Sequence, residues 1–308
     1  MKNCSTCSKL FKEDEYFIEV IPYVYMCKNC YDGTIRNNMK CSVCKKYYPS
    51  REFVWINGEE EAVCPICYRN EYHLYPADYK PNPIFEKELE REHVTHIGAE
   101  LEIQGTKYKY FIEEMDNTFK NHEFYLKDDC SLEEDYGVEI VSQPMLMYNA
   151  INKWQIVFDL LNKYNMNDTC DCGLHFHLDR ISLNERQIRN MDYIVNNFVN
   201  SIFKWGGRNI DGHEYATSIH KDITEWGHRT FRDDKFNAFN FCSNTIELRC
   251  FDSTFNFNRF KDIMIRVYAF VEYTNIHKFD YFANMTDSDF WNKFSNYVTK
   301  FKNKYLLS

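Results

Sequence analysis

Three short segments alternate apolar and polar residues with a period of two, and they constrain the larger part of this 308-residue chain more than any other feature. In Cys172 to Asp179, Leu174, Phe176 and Leu178 fall on one side of an extended chain and His175, His177 and Asp179 on the other, because successive side chains of a strand point to opposite faces. Ile97 to Ile103 sends Ile97, Ala99, Leu101 and Ile103 one way and Gly98, Glu100, Glu102 and the following Gln104 the other, with the two carboxylates about 7 Å apart along the strand. Ile246 to Cys250 sets Ile246, Leu248 and Cys250 against Glu247 and Arg249. One such strand is an ordinary solvated sheet face. Three of them, carrying Glu/Glu, His/His and Glu/Arg, predict a sheet with a greasy side for packing and a polar side suited to hard cations and phosphate.

The first seventy residues hold an internal repeat. Cys4, Cys7, Cys27 and Cys30 recur 37 residues later as Cys41, Cys44, Cys64 and Cys67, each unit reading Cys-x2-Cys-x19-Cys-x2-Cys. Two such pairs per unit supply the four thiolates of a tetrahedral structural zinc site. Between the pairs the pattern predicts hairpins: Phe17 to Val20 with Tyr23 to Met26, then Phe53 to Ile56 with Glu61 to Val63 across an Asn57-Gly58 turn. The expectation is two zinc ribbons, residues 1–36 and 37–75, each folding largely on its own metal. Their balanced charge and their aromatics (Tyr23, Tyr25, Tyr47, Tyr48, Trp55) favour a peptide or protein partner over nucleic acid, although aromatics also stack on bases.

Charge and composition narrow the classes. Residues 1–80 carry 11 Lys/Arg against 11 Asp/Glu, and the remainder, with 26 against 35, supplies the whole net charge of −9. Neither part is the basic surface of a strong nucleic-acid binder. Of thirteen cysteines, eight fall in Cys-x-x-Cys pairs, and the start lacks the apolar core of a signal peptide; both point to zinc in a reducing compartment rather than to a disulfide scaffold. No apolar run reaches the 18 or so residues of a membrane span, so a cytoplasmic location is expected. The abundance of Asn, Lys, Ile, Phe and Tyr fits an AT-rich genome; for a phage the location would be the host cytoplasm.

Tyr75 to Pro83, with three prolines, denies helix and ladder alike, and residues 76–83 are expected to tether the ribbons to a larger domain, 84–308. There the spacing predicts a helix from Tyr108 to Lys120, strands at Phe124 to Lys127 and Gly137 to Ser142, and a helix over 150–164 capped by Asn149. A Ser182/Glu185 capping box should open a long helix that stops at Gly206-Gly207. Residues 207–234 read as a polar flap, Lys235 to Phe241 as a strand, and 258–275 and 287–304 as aromatic-rich helices.

Taken in order, Gly98-Ala-Glu-Leu-Glu102, Asp129-Cys-Ser-Leu132 running to Glu139-Ile-Val-Ser-Gln-Pro144, Cys172-Gly-Leu-His-Phe-His177, Asn240 and Ile246-Glu-Leu-Arg-Cys-Phe251 resemble the amidoligase family, a branch of the carboxylate-amine ligase superfamily of glutamine synthetase and glutamate-cysteine ligase. The likeness spans roughly residues 93 to 275. It implies an α+β, glutamine synthetase-like core: an antiparallel sheet with helices on one side and, on the other, ATP and two or three Mg2+. By resemblance Glu100 and Glu102 would ligate different Mg2+ ions, Glu139 would complete one site, and His175 and Glu247 another. His177 would touch nucleotide or metal, Arg249 would meet the transferring phosphoryl group, and Asn240 would support the phosphates. Arg249, Glu139 and Glu247 would then be the residues closest to the chemistry. Cys130 stands where the family usually has glycine, and Lys235-Phe236 where an Arg-Tyr pair is common; these departures touch substrate contacts more than metal ligands.

Joining a carboxylate to an amine in water is uphill, so ATP would first convert the acid to an acyl phosphate that the amine then attacks. Carboxylates suit Mg2+, and a guanidinium suits a charged transferring group. The expected activity is therefore ATP- and Mg2+-dependent formation of an amide or isopeptide bond on a peptide or protein substrate recruited by the ribbons. The rival readings are a zinc-ribbon protein of phage type acting on nucleic acid, an inactive ligase fold kept as a binding scaffold, and, locally, a third zinc site from Cys170, Cys172, His175 and His177.

Overall fold

The 37-residue offset of the cysteines recurs in the pairing of the backbone. The computed structural model describes residues 2–3, 10–11, 17–21, 24–27, 30, 38–49, 53–56, 61–77, 79, 81, 84, 95–119, 123–128, 137–167, 172–207, 237–242 and 244–306. In the amino-terminal part β1 (Lys2–Asn3) pairs with β2 (Leu10–Phe11), Lys2 opposite Phe11 and Asn3 opposite Leu10. After β3 (Phe17–Ile21) and β4 (Val24–Cys27), an antiparallel hairpin, the pattern returns as β5 (Asn38–Lys40) and β6 (Tyr47–Pro49), Met39 opposite Tyr48 and Lys40 opposite Tyr47. These are the same pairs displaced by one repeat. A second hairpin follows, β7 (Val54–Ile56) with β8 (Glu61–Val63). The short α1 (Pro65–Tyr72) carries no apolar periodicity in its sequence; Pro65 opens it, having no N–H to leave unsatisfied, and His73 in the left-handed region closes it.

The chain divides at Lys80/Pro81 into two compact units. The second is built on one six-stranded antiparallel sheet in the order β10-β11-β9-β12-β14-β13. Its strands are β9 (Ile97–Gln104), β10 (Phe124–Lys127), β11 (Gly137–Ser142), β12 (Gly173–Asp179), β13 (Phe239–Phe241) and β14 (Thr245–Asp252). The helices are α2 (Tyr108–Thr118), α3 (Met147–Tyr164), α4 (Glu185–Asn197), α5 (Val199–Gly206), α6 (Phe257–Ile276), α7 (Phe279–Ala283) and α8 (Asp287–Leu306).

The greasy side packs as the alternation requires. Ile97, Ala99, Leu101 and Ile103 of β9 are buried, as are Leu174, Phe176 and Leu178 of β12. Phe176 meets Phe260 of α6 at 6.1 Å between ring centroids, Phe124 of β10 meets Trp154 of α3 at 5.1 Å, and Trp154 meets Phe260 at 4.7 Å. Offset and edge-on ring pairs of this kind add to the burial that holds helix to sheet.

Several boundaries differ from the spacing analysis. The capping box is Asn184 with Gln187, not Ser182 with Glu185, because the Ser182 hydroxyl donates to the Asp179 carbonyl instead. Helix α3 begins at Met147 with no side-chain cap, two residues before Asn149 could serve. The long helix after β12 breaks at Phe198, where Asp287 of α8 accepts the N–H groups of Asn200 and Ser201 and so caps α5 from outside. Gly206-Gly207 ends α5 as expected, for two separate reasons. Gly207 has φ +82, and a Cβ on Gly206 would stand 1.9 Å from the Cys250 carbonyl oxygen of β14.

The register between β12 and β14 slips between Leu174 and Phe176, so β14 spends one extra residue opposite His175. By strict alternation Phe251 would share a face with Glu247; past this bulge it packs on the greasy side, 5.3 Å from Phe176 and 5.0 Å from Trp205 of α5. Bulges re-aim side chains beside functional sites, and this one falls at Arg249. Because α5 lies backbone to backbone on β14, Gly206→Ala should destabilise the second unit by about 1–3 kcal/mol. Urea denaturation followed by near-UV circular dichroism measures it, and an unchanged midpoint would refute the close approach.

Candidate active site

The polar face of the sheet is buried rather than solvated. Glu102, Glu139, His175 and Glu247 are each less than 10% exposed, although β9 and β14 taken singly look like solvent-facing strands. Strand register sets these groups in rows. Across β10, β11 and β9 run Lys127, Glu139 and Glu102; across β9 and β12 run Glu100 and His175; across β9, β12, β14 and β13 run Gly98, His177, Glu247 and Asn240.

The middle rows converge. His177 Nε2 lies 3.1 Å from Glu100 Oε1 and 4.0 Å from Glu247 Oε1, while His175 Nδ1 lies 3.6 Å from Glu100 Oε2 and 3.7 Å from Glu247 Oε1. One ligand atom each from Glu100, His177 and Glu247 can be chosen with all three within 4.8 Å of one another. Donors held at about 2.1 Å around one divalent ion stand roughly 3.0–3.4 Å apart, so these three side chains need only small adjustments to share an ion. The Nδ1 atom of His177 faces Thr245 Oγ1 at 3.1 Å, which orients the ring.

The charges depend on each other. Burial acts to raise the Glu100 carboxyl, but the neighbouring His177, His175 and Lys127 overcome it and hold the group well below the usual carboxylate range. Burial likewise acts to neutralise His177, and Glu100, Cys242 and Glu247 reverse this and hold the imidazole well above its ordinary value. Burial would raise Glu247 too, but His177, His175 and Arg249 draw it down against the repulsion of Glu100. His177 is thus an imidazolium wedged between two carboxylates, in the place a metal cation would take.

The outer row is engaged differently. Lys127 Nζ donates to both oxygens of Glu139, at 3.1 and 2.9 Å, with both residues buried. Burial and the charge of Glu100 push Glu139 up against the pull of Lys127. Glu102 accepts the Gly173 N–H through its side chain and the Ser253 hydroxyl through its carbonyl. On the opposite flank Arg249 Nη1 donates to Glu247 Oε1 at 2.7 Å and Asn240 Nδ2 to Glu247 Oε2 at 3.1 Å. The structure therefore brings Glu100, His175, His177, Glu247, Arg249 and Asn240 into one basin, with Glu102 and Glu139 in the adjoining row.

Lys127, Thr245 and Cys242 escaped the reading of the sequence. Lys127 ends a four-residue strand in which Phe124 and Leu126 point to the core. Parity put it on the polar face of the expected strand, but nothing near it in sequence marks a lysine there as buried. Cys242, whose Sγ lies 3.8 Å from Glu247 Oε2, follows a strand too short to carry a phase. Residues 129–136, which include the Asp-Cys-Ser-Leu motif, Cys170 of the third-zinc reading, and most of the expected flap together with Lys235 and Phe236 lie outside the described residues.

In the amino-terminal unit Cys41, Cys44, Cys64 and Cys67 form a second group, with all four sulfurs within 4.8 Å of one another. Cys41 and Cys64 are fully buried, and Cys44 Sγ lies 3.8 Å from Cys64 Sγ, about the edge of a tetrahedron with 2.3 Å metal–sulfur bonds. Burial alone would raise the Cys41 thiol, but N–H groups donated by Cys64, Cys44 and Val43 bring it down to about 6, whereas burial and the neighbouring sulfurs push Cys67 up to about 12. Four thiolates cannot coexist here without a cation. Cys4 and Cys7 lie outside the described residues, so for the first quartet only Cys27, buried, and Cys30, half-buried, can be placed.

The second unit is thus an α+β domain whose antiparallel sheet carries a buried carboxylate–imidazole basin fit to hold a divalent cation. Residues 82–240, just over half of the chain, match the family model described as "Putative amidoligase enzyme", and the chain belongs to that family. No curated protein matches it. Among the described residues no helix is long and apolar enough to cross a membrane.

Because His177 is held protonated, a divalent ion entering the basin must displace its proton. Binding should release close to one proton near neutral pH and tighten as pH rises toward the raised value of His177, then level off. Calorimetry in buffers of different ionisation enthalpy measures the release; its persistence in His177→Gln would contradict the arrangement.

Proposed function

We propose that the second unit is an ATP- and Mg2+-dependent carboxylate-amine ligase that forms an amide or isopeptide bond through an acyl phosphate. The observation that carries this reading is the meeting of Glu100, His175, His177 and Glu247 with Arg249 on one sheet face, in a chain of the amidoligase family. Glu100, Glu247 and the two histidines would hold Mg2+, which supplies charge neutralisation for the phosphates. Arg249, tied to Glu247 and itself partly exposed, is placed to follow charge that develops on the transferring phosphoryl group. Asn240 fixes the second Glu247 oxygen and so orients the carboxylate. The γ-phosphoryl group passes to the substrate carboxylate with loss of ADP, and the amine then displaces phosphate, leaving a product lighter by one water than its two substrates. Closing of the expected flap over residues 207–234 would shield the acyl phosphate from hydrolysis. No protein nucleophile is required.

We propose further that each cysteine quartet holds a structural Zn2+ and that the ribbons recruit the peptide or protein substrate. Glu247→Gln should abolish Mg2+-dependent ATP binding, and Arg249→Ala should lower turnover by about 10²–10³-fold while changing ATP affinity little. Mass spectrometry of products formed with ATP, Mg2+ and candidate peptides reads both; equal losses of turnover and affinity in Arg249→Ala would refute its role. Metal analysis should give two zinc ions per chain, and Cys64→Ser one. An unchanged count in the variant would remove the second ribbon from the account.

A further inference from the structure

The resemblance calls for several Mg2+ ions spread over Glu100, Glu102, Glu139, His175 and Glu247, but the rows of the polar face are not alike. In the inner part Glu100 and Glu247 face imidazoles, which become ligands once they lose a proton, and Glu247 also accepts from Arg249 and Asn240. In the outer row the acceptors already face protein donors. Lys127 donates to both Glu139 oxygens at 3.1 and 2.9 Å, the Gly173 N–H donates to Glu102, and Lys127 and Glu139 lie opposite one another in the β10–β11 ladder, each less than 10% exposed. Among the described residues the side chains that can gather on one ion are Glu100, His177 and Glu247 on this sheet; neither Glu102 nor Glu139 enters such a group.

We propose that Lys127 is a built-in cation that occupies the position of a second metal ion, so that the protein itself binds a single divalent ion, in the basin of Glu100, His177 and Glu247. This rests on the reading of that basin as a metal centre and deepens it. An ammonium buried against a carboxylate is costly to separate from it, because the partner would be left as an uncompensated buried charge. Glu139 therefore keeps Lys127 rather than exchanging it for a hydrated ion, which would have to shed water to enter. The fixed charge of Lys127 opposes a second divalent ion beside Glu139. Any further metal ion that the phosphoryl transfer uses then arrives on the phosphates of the nucleotide.

The test is to count Mn2+ bound to the zinc-replete full chain without nucleotide, by electron paramagnetic resonance of the free ion. The wild-type chain should bind a single Mn2+. Glu139→Gln should keep that ion with its dissociation constant changed by less than about threefold. Lys127→Met, which bares Glu139 beside Glu102, should gain a second, weaker Mn2+. A wild-type count of two, loss of an ion in Glu139→Gln, or a folded Lys127→Met chain that still binds one would overturn the lysine assignment; the first two comparisons stand even if Lys127→Met does not fold. Retention of the ion in Glu247→Gln would instead overturn the reading of the basin, so the two failures are distinguishable.

Discussion

Charge compensation among largely buried groups is the constraint on which this structure turns. Glu100, His177 and Glu247 each sit where burial opposes their ionised form, and each is charged only because an opposite charge stands within a few ångströms; Glu139 is drawn toward its ionised form by Lys127 against burial and Glu100. Isolated, any of them would shift its protonation and fall silent. Together they form a lattice of acceptors and cations that is poised for exchange: a proton on His177 can give way to a metal ion without leaving a carboxylate bare.

The rest of the second unit serves to hold that lattice still. The greasy side of the sheet is clamped by Trp154, Phe176, Phe251 and Phe260, whose rings interlock across strands and helices. That clamp fixes strand register, and register fixes which polar groups share a row. The bulge on β14 lets both demands be met: it returns Phe251 to the core while leaving Arg249 beside Glu247. The amino-terminal unit gathers four sulfurs around a core as small as Cys41, Val63 and Cys64, a cluster that could hold a cation.

Much of this was legible from the sequence, and for physical reasons. Period-two alternation is written directly in Ile97 to Ile103 and in Cys172 to Asp179, so the split into a packing face and a ligating face needed no coordinates. The ordered motifs carried the family. What alternation does not encode is which strands are neighbours: that Glu139 sits opposite Glu102, and His177 opposite Glu247, follows from pairing over more than thirty residues of separation. Nor does it encode a bulge, which breaks the parity on which the reading depends and returns Phe251 to the packing side. Lys127 was missed because its burial comes from Glu139, a residue the local sequence cannot see. The displaced capping box had a similar origin, since Ser182 and Asn184 are both good caps and only the Ser182 bond to Asp179 decides between them.

The central claim is that two carboxylates and two imidazoles from three strands make one cation centre, and the most direct measurement is anomalous diffraction at the manganese edge from crystals soaked in Mn2+. The account predicts a peak within bonding distance of Glu100 and Glu247 and of at least one of His175 and His177. A peak lying on other residues of the sheet, or a basin that stays vacant while Mn2+ binds elsewhere, would contradict it.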